Sequence, residues 1–339
     1  MDINHIKEIY IQKGKIYFAS IELTQNCNFK CKHCYCSDKA NPNMTLDAYK
    51  KIIDKLYDTG CLFLNFTGGE IFTNKNFIDI YTYAKNKGFI IDLLTNISLL
   101  NESMISVFKK YPPNSIAVTL YGSNPQEYEL FTGDAKNYNR VMKALNLLRQ
   151  NGLHFVLRSV AAKTYYHSLY CGNFQEIAEK MGASFKYDPI IFPKTSGDKS
   201  PLSECLSPLE IVQLENASDI RRKAWIDEIQ KTEPFVWTCR AGLNSFSIDY
   251  KGDAYVCGLF RKDPISILDN DISTVLDHLR RIHARHIEIV KNNECSNCQN
   301  RRICKWCPAY SLIYNGDENK KIPFLCELAN ERVRSFGRK

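Results

Sequence analysis

Two hydrophobic periods alternate along residues 16–195. Apolar runs of strand length occur at Ile16–Leu23, Cys61–Phe66, Ile90–Thr95, Ile116–Leu120, Phe155–Ala161 and Ser184–Phe192. Between them lie stretches with apolar residues at three-and-four spacing, the mark of a helix with one buried face. These are Thr45–Thr59 (with Ile52, Ile53, Leu56 and Tyr57 on its stripe), Asn74–Lys87, Glu102–Tyr111, Tyr138–Gln150 and Cys171–Met181. Lys87-Gly88 and Asn151-Gly152 have the form of helix C-caps ahead of the next strand. Strands and helices in this order predict an α/β fold, a parallel sheet rolled into an open, partial (β/α)6 barrel of the TIM type. Chemistry in such a fold belongs at the C-terminal ends of the strands.

The pattern changes after this body. Ile191–Ser207 contains Pro193, Gly197 and Pro201 and reads as a loop, followed by one helix at about Pro208–Lys231. A hairpin comes next, with strands Leu243–Ile248 and Ala254–Cys257 joined through Asp249–Asp253. Four segments are expected: an N-terminal extension (1–15), the barrel (16–195), a linker with its helix (196–234) and a C-terminal domain (235–339). No apolar run is long enough to span a membrane. The charged start MDINHIKEIYIQKGK lacks the apolar stretch of a secretory signal, so a cytoplasmic location is expected.

The 339 residues are 44% hydrophobic and 24% charged, which excludes a disordered or fibrous chain. The net charge of +8 is scattered, so no nucleic-acid partner is expected. The unusual quantity is 14 cysteines. In a cytoplasmic chain of this length they point to metal or redox chemistry rather than disulfides. They are also clustered. Cys27, Cys31, Cys34 and Cys36 crowd one loop, and Cys239, Cys257, Cys295, Cys298, Cys304, Cys307 and Cys326 fill the C-terminal third. Only Cys61, Cys171 and Cys205 lie between.

Cys27, Cys31 and Cys34 have C-x3-C-x2-C spacing directly after the first strand. Three thiolates there can hold three irons of a four-iron, four-sulfur cluster and leave the fourth open to another ligand. A zinc knuckle completed by Cys36 or His33 is the alternative. Gly68-Gly69-Glu70 follows the second strand, and glycines without Cβ atoms let the backbone approach a ligand closely.

The cysteine triplet, the GGE tripeptide and the strand–helix alternation over 16–195 together resemble the radical SAM enzymes. The resemblance implies a [4Fe-4S] cluster whose open iron chelates S-adenosylmethionine. One electron, from a donor such as flavodoxin or ferredoxin, then cleaves the sulfonium to a 5′-deoxyadenosyl radical that abstracts a substrate hydrogen. It also implies cofactor contacts. His33 falls near the adenine, with Gly68, Gly69 and Glu70 at the methionine amino group. Asn96, Thr119 and Arg158 lie at later strand ends, with Arg140 a further cation. No catalytic side chain is assigned.

The C-terminal cysteines resemble the SPASM extension of that family, which holds auxiliary iron–sulfur clusters. The resemblance implies Cys295, Cys298, Cys304 and Cys326 on one [4Fe-4S] cluster, and Cys239, Cys257 and Cys307 on another. Two residues separate Cys304 from Cys307 where the family usually has three. The stretch Thr232–Thr238 offers no fourth cysteine, leaving an open iron, Glu233, Cys205 or a substrate atom. Proteins with this extension mostly modify peptides. The run from Ile116 to Val160 resembles maturases of ribosomal peptides, which form thioether or carbon–carbon crosslinks or epimerise residues. Gly258 stands where sulfatase maturases carry Asp, which lowers that reading. A small-molecule or tetrapyrrole substrate and a non-enzymatic metal-binding module are the remaining readings. The short N-terminal extension is expected to leave leader recognition to a separate protein or to an exposed sheet edge. Tyr165, Tyr166 and His167 are candidates to line the substrate opening.

Overall fold

A computed structural model describes residues 3–36 and 43–337. Among the described residues there are nine strands: β1 (Phe18–Glu22), β2 (Phe63–Thr67), β3 (Ile90–Thr95), β4 (Ser115–Thr119), β5 (Phe155–Val160), β6 (Ser184–Asp188), β7 (Ser245–Ile248), β8 (Asp253–Tyr255) and β9 (Ile265–Ser266). They form one sheet in the order β6-β5-β4-β3-β2-β1-β7-β8-β9. The six expected strands form and are parallel throughout. The expected hairpin forms as β7 and β8, and β7 pairs in parallel with the free edge of β1. The cysteine-rich third therefore shares a sheet with the barrel.

Alternation along the strands separates two faces. Ala19, Ile21, Leu64, Phe66, Ile91, Leu93, Ile116, Val118, Phe155 and Leu157 are buried. The opposite face is polar, running Ser20, Asn65, Asp92 and Ser115 across register partners, with Asn65 Nδ2 donating to Ser20 Oγ at 3.1 Å. Nearer the C-terminal ends, that face carries Glu22 beside Thr67, then Thr119 beside Arg158 and Lys186. Half-exposed polar residues on one face and a sealed apolar face on the other are what an open barrel requires of its lumen and its helix layer.

The helices depart from expectation in places. Leu46–Asp58 starts on the Thr45 side chain, which accepts from the Ala48 N–H. The helix expected over Pro208–Lys231 is two, Pro208–Asn216 and Asp219–Ile229, because the Ser218 side chain caps the second and breaks the run. Ile3–Gln12, Pro125–Thr132 and the 21-residue Ile272–Asn292 are helices that were not expected. Arg332, on the last helix (Pro323–Phe336), pairs with Glu215 at 2.6 Å, both side chains almost wholly buried. Its guanidinium lies 4.0 Å from the Trp225 ring centroid, which ties the linker helices to the C-terminus. A second small core of Val290, Ile303, Cys304, Trp306, Ile322, Leu325 and Ala329 lies beside the main one. Among the described residues, no helix is long and apolar enough to cross a membrane.

Candidate active site

The cysteine loop is pinned where β1 ends. Leu23 N–H donates to Thr67 O, Gly69 N–H to Thr24 O and Glu70 N–H to Asn26 O, each at 2.8 Å. The outer side is held by Lys30 and Lys32, whose N–H groups reach Thr132 O and Phe131 O at 3.1 and 3.0 Å. Lys32 Nζ also lies 3.2 Å from the buried Glu204 carboxylate, which accepts from Thr164 after β5. Within the loop, Cys34 N–H donates to Cys31 O at 3.1 Å, and Phe29 N–H points to Cys27 Sγ at 3.4 Å. The His33 ring stacks on Phe131 at 5.2 Å and leans on Tyr121. Burial, then the charges of Cys31, Cys27 and Cys34, push the Tyr121 phenol up, so all three thiols share its surroundings.

The glycines after β2 serve the loop directly. A Cβ on Gly68 would lie 2.2 Å from Thr24 O, and one on Gly69 would lie 2.3 Å from Asn26 O. Their missing side chains let the two strand ends touch. Glu70 follows them. Its carboxylate is fully buried and accepts from Thr95 Oγ1 at 2.6 Å, Asn96 N–H at 2.7 Å and Phe72 N–H at 3.2 Å. It shapes the end of β3. Burial raises its pKa to about 7 against the pull of those hydrogen bonds. Asn96, so positioned, donates from Nδ2 towards Cys27 Sγ at 3.7 Å.

Thr119 and Arg158 sit side by side on the polar face, half-exposed and exposed respectively. Arg140 is engaged elsewhere, with Asn137 at 2.9 Å and Asp134 at 3.5 Å. Tyr165 is buried against Phe131 and Phe174, while Tyr166 bonds Gln213 and His167 lies against Cys171. Of these three, Tyr165 is buried, Tyr166 half-exposed and His167 exposed.

The C-terminal thiols fall into two electrostatically coupled sets. Burial first, and then the Cys257 and Cys239 charges, push the Cys307 thiol up to about 12. Burial and the Cys239 charge raise Cys257. Separately, burial and the charges of Cys326, Cys295 and Cys298 push Cys304 to about 12. Cys239, Cys257 and Cys307 are thus neighbours, as are Cys295, Cys298, Cys304 and Cys326. Cys205 instead donates from Sγ to Ile191 O at 3.7 Å, and the Glu233 carbonyl accepts from Arg302. The spacing of Cys residues did not reveal Arg301, which is buried beside Cys295, Cys298 and Cys304 and anchored to Val290 O at 2.7 Å. Its charge offsets thiolates there.

Thiolate-only donors suit an iron–sulfur cluster, and buried thiols with raised pKa values must release protons on binding it. The three thiols of residues 27–34, on a loop fixed by backbone bonds on both sides, fit a cluster with one open corner.

Beside this loop lies a cavity of about 190 Å³ between the end of β1 and the β7–β8 hairpin. Its lining includes Glu22, Gln25, Tyr35, Asp249, Tyr255 and Arg261. None was singled out in the sequence. The signal was present at Glu22, which strand parity puts on the polar face at the last position of β1.

Residues 21–165 match the Radical SAM superfamily. The subtilosin biosynthesis protein AlbA of Bacillus subtilis, described as antilisterial bacteriocin machinery, is 28% identical over 252 residues. That likeness covers 72% of this chain and 55% of AlbA, so the chain spans about half of that relative's length. An AdoMet-dependent heme synthase of Methanosarcina barkeri is 21% identical over 333 residues, covering 89% of this chain and 94% of the synthase. The crystal structure of Streptococcus suis SuiB bound to precursor peptide SuiA shares the fold, with a TM-score of 0.74 at 15% identity over 95% of this chain and 79% of SuiB. The loop geometry, the strand order and these likenesses agree on one point: residues 21–165 form a domain of the Radical SAM superfamily.

Proposed function

We propose that this enzyme modifies a peptide or protein, most simply a ribosomal peptide that gains a thioether or carbon–carbon crosslink or an epimerised residue. The observation that carries this reading is the likeness to AlbA, which extends over 72% of the chain, well past the matched domain. The fold shared with SuiB, a protein seen bound to a precursor peptide, supports it. The likeness to a heme synthase over 89% of the chain favours a second reading, a tetrapyrrole or other small substrate.

In the peptide reading, residues 16–195 are the catalytic core and 235–339 a SPASM domain, joined by 196–234. Cys27, Cys31 and Cys34 hold the [4Fe-4S] cluster that binds S-adenosylmethionine. The chemistry supplied by that pair, when bound, is a 5′-deoxyadenosyl radical able to abstract a substrate hydrogen. Asn96 steadies the sulfur of Cys27, and Glu70 positions Asn96. Thr119 and Arg158 offer a hydroxyl and a cation to the cofactor from the polar face, and His33 contributes its backbone. Cys295, Cys298, Cys304 and Cys326 hold one auxiliary cluster, with Arg301 neutralising charge. Cys239, Cys257 and Cys307 hold another whose fourth position is open. An electron donor of the flavodoxin or ferredoxin type and a separate leader-binding protein are the implied partners. A guest strand would have to add elsewhere than at β6, where Arg221 already occupies the Tyr187 carbonyl.

The test is mass spectrometry of peptides encoded beside this chain, co-expressed with it under anaerobic conditions. Loss of two hydrogens per event, or deuterium uptake from heavy water without mass loss in light water, is expected. Unchanged peptides together with turnover of a porphyrin precursor would establish the second reading instead.

A further inference from the structure

The cavity between β1 and the hairpin is organised around one carboxylate. Glu22 is buried; one of its oxygens is ion-paired with Arg261, and the other accepts from Gln25 Nε2 at 3.1 Å. The Arg261 guanidinium lies 5.0 Å over the Tyr255 ring, and the Tyr255 hydroxyl approaches Asp249 Oδ2. Glu22 therefore fixes a guanidinium and an amide side by side in the cavity lining.

The amide is incompletely satisfied. Gln25 is 5% exposed, and its Oε1 is buried without a hydrogen-bond partner. Buried acceptors are nearly always paired, so this one marks a missing N–H or O–H. Arg261 provides the opposite character, because a guanidinium carries five N–H donors and Glu22 engages one edge of it. A complementary ligand offers a donor and an acceptor together. A carboxylate offers acceptors alone; it would satisfy Arg261 and leave Gln25 unpaired. An amide has both groups in one plane.

We propose that Gln25 and Arg261 form an amide-recognition pair, in which Gln25 Oε1 takes an N–H and Arg261 a carbonyl of a backbone or side-chain amide of the substrate. The proposal rests on the peptide reading of the function. It assigns specificity to two residues outside the cysteine loop and the GGE segment.

The test uses reconstituted holoenzyme with S-adenosylmethionine bound, and saturation-transfer difference NMR with N-acetylglycinamide and, separately, acetate. The amide probe is expected to show transfer that falls about fivefold or more in Gln25→Met, the worth of one net hydrogen bond. Acetate transfer should not change in that variant. Arg261→Lys should weaken both probes. Iron content and circular dichroism report whether each variant has folded. Equal amide signal in Gln25→Met, preference for acetate, or transfer from neither probe overturns the pair. Peptide modification is scored separately. A normal amide signal in an enzyme that modifies no peptide removes the functional reading and leaves the pair. A peptide modified equally well by Gln25→Met removes the pair and leaves the function.

Discussion

Glu70 combines full burial with three donors, and the two act in opposite directions. Hydrogen bonds favour the carboxylate, whereas burial favours the acid and wins, raising the pKa from 4.5 to about 7. The folded chain therefore holds this proton more tightly than the unfolded chain. The stabilising contribution is complete below the unfolded value of 4.5 and is lost as pH rises through the folded value of about 7. Glu70→Gln removes the titration while nearly preserving shape. In thermal melts, the wild type's advantage over Glu70→Gln is expected to shrink between about pH 4.5 and about pH 7. A difference in Tm that stays constant across that window would show that Glu70 does not titrate there. The sequence put this residue beside the cysteines but not the direction of its side chain, because a tripeptide motif carries no information about which face its carboxylate takes.

At the scale of elements, the junction of β1 and β2 depends on chain-to-chain approach. Gly68 has φ of +138°, a region that side-chain-bearing residues rarely adopt, and its hydrogen points at the Thr24 carbonyl. Gly68→Ala is expected to cost about 1–3 kcal/mol from backbone strain alone. The added Cβ also displaces the segment leading to Cys27. Chemical denaturation should show the stability loss, and iron analysis of the purified variant should show depletion; a variant with native stability and full iron would contradict this account. The first five parallel strands were legible in the sequence because each is a short run rich in apolar residues, whereas β6, SFKYD, was marked by alternation alone. The hairpin was legible as well, but its docking on β1 was not: alternation marks a strand without naming its neighbour. The helix Ile272–Asn292 escaped for another reason. Its buried stripe passes through His283 and His286, which a count of apolar residues misses. His283 settles there by bonding Ala241 O through Nδ1 at 2.9 Å, and His286 by packing edge-on against Phe260.

Across the whole molecule, the thiols are unevenly supported by packing. The loop of Cys27, Cys31 and Cys34 is fastened to the large core by backbone bonds from β2 and from the end of helix Pro125–Thr132. Cys304 belongs to a core of only seven buried residues and feels the charges of Cys295, Cys298 and Cys326. A core that small gives little independent stability, and small units of this kind rely on metals or crosslinks. Bringing thiols together there also raises their pKa values, because burial and neighbouring sulfur charge both penalise the thiolate. A cluster bound by these thiols, as proposed, would relieve the charge and supply the missing crosslink, and metal removal should then act unequally along the chain. Limited proteolysis of iron-depleted protein, followed by peptide mapping, is expected to cut first within 293–326 and to spare β1 to β6. Holoenzyme should resist at both places. Cleavage of the iron-depleted chain that begins instead in β1–β6, or that leaves 293–326 as protected as in holoenzyme, would show that this region is held by its own packing, with Arg332–Glu215 and the Trp225 ring as the remaining fasteners.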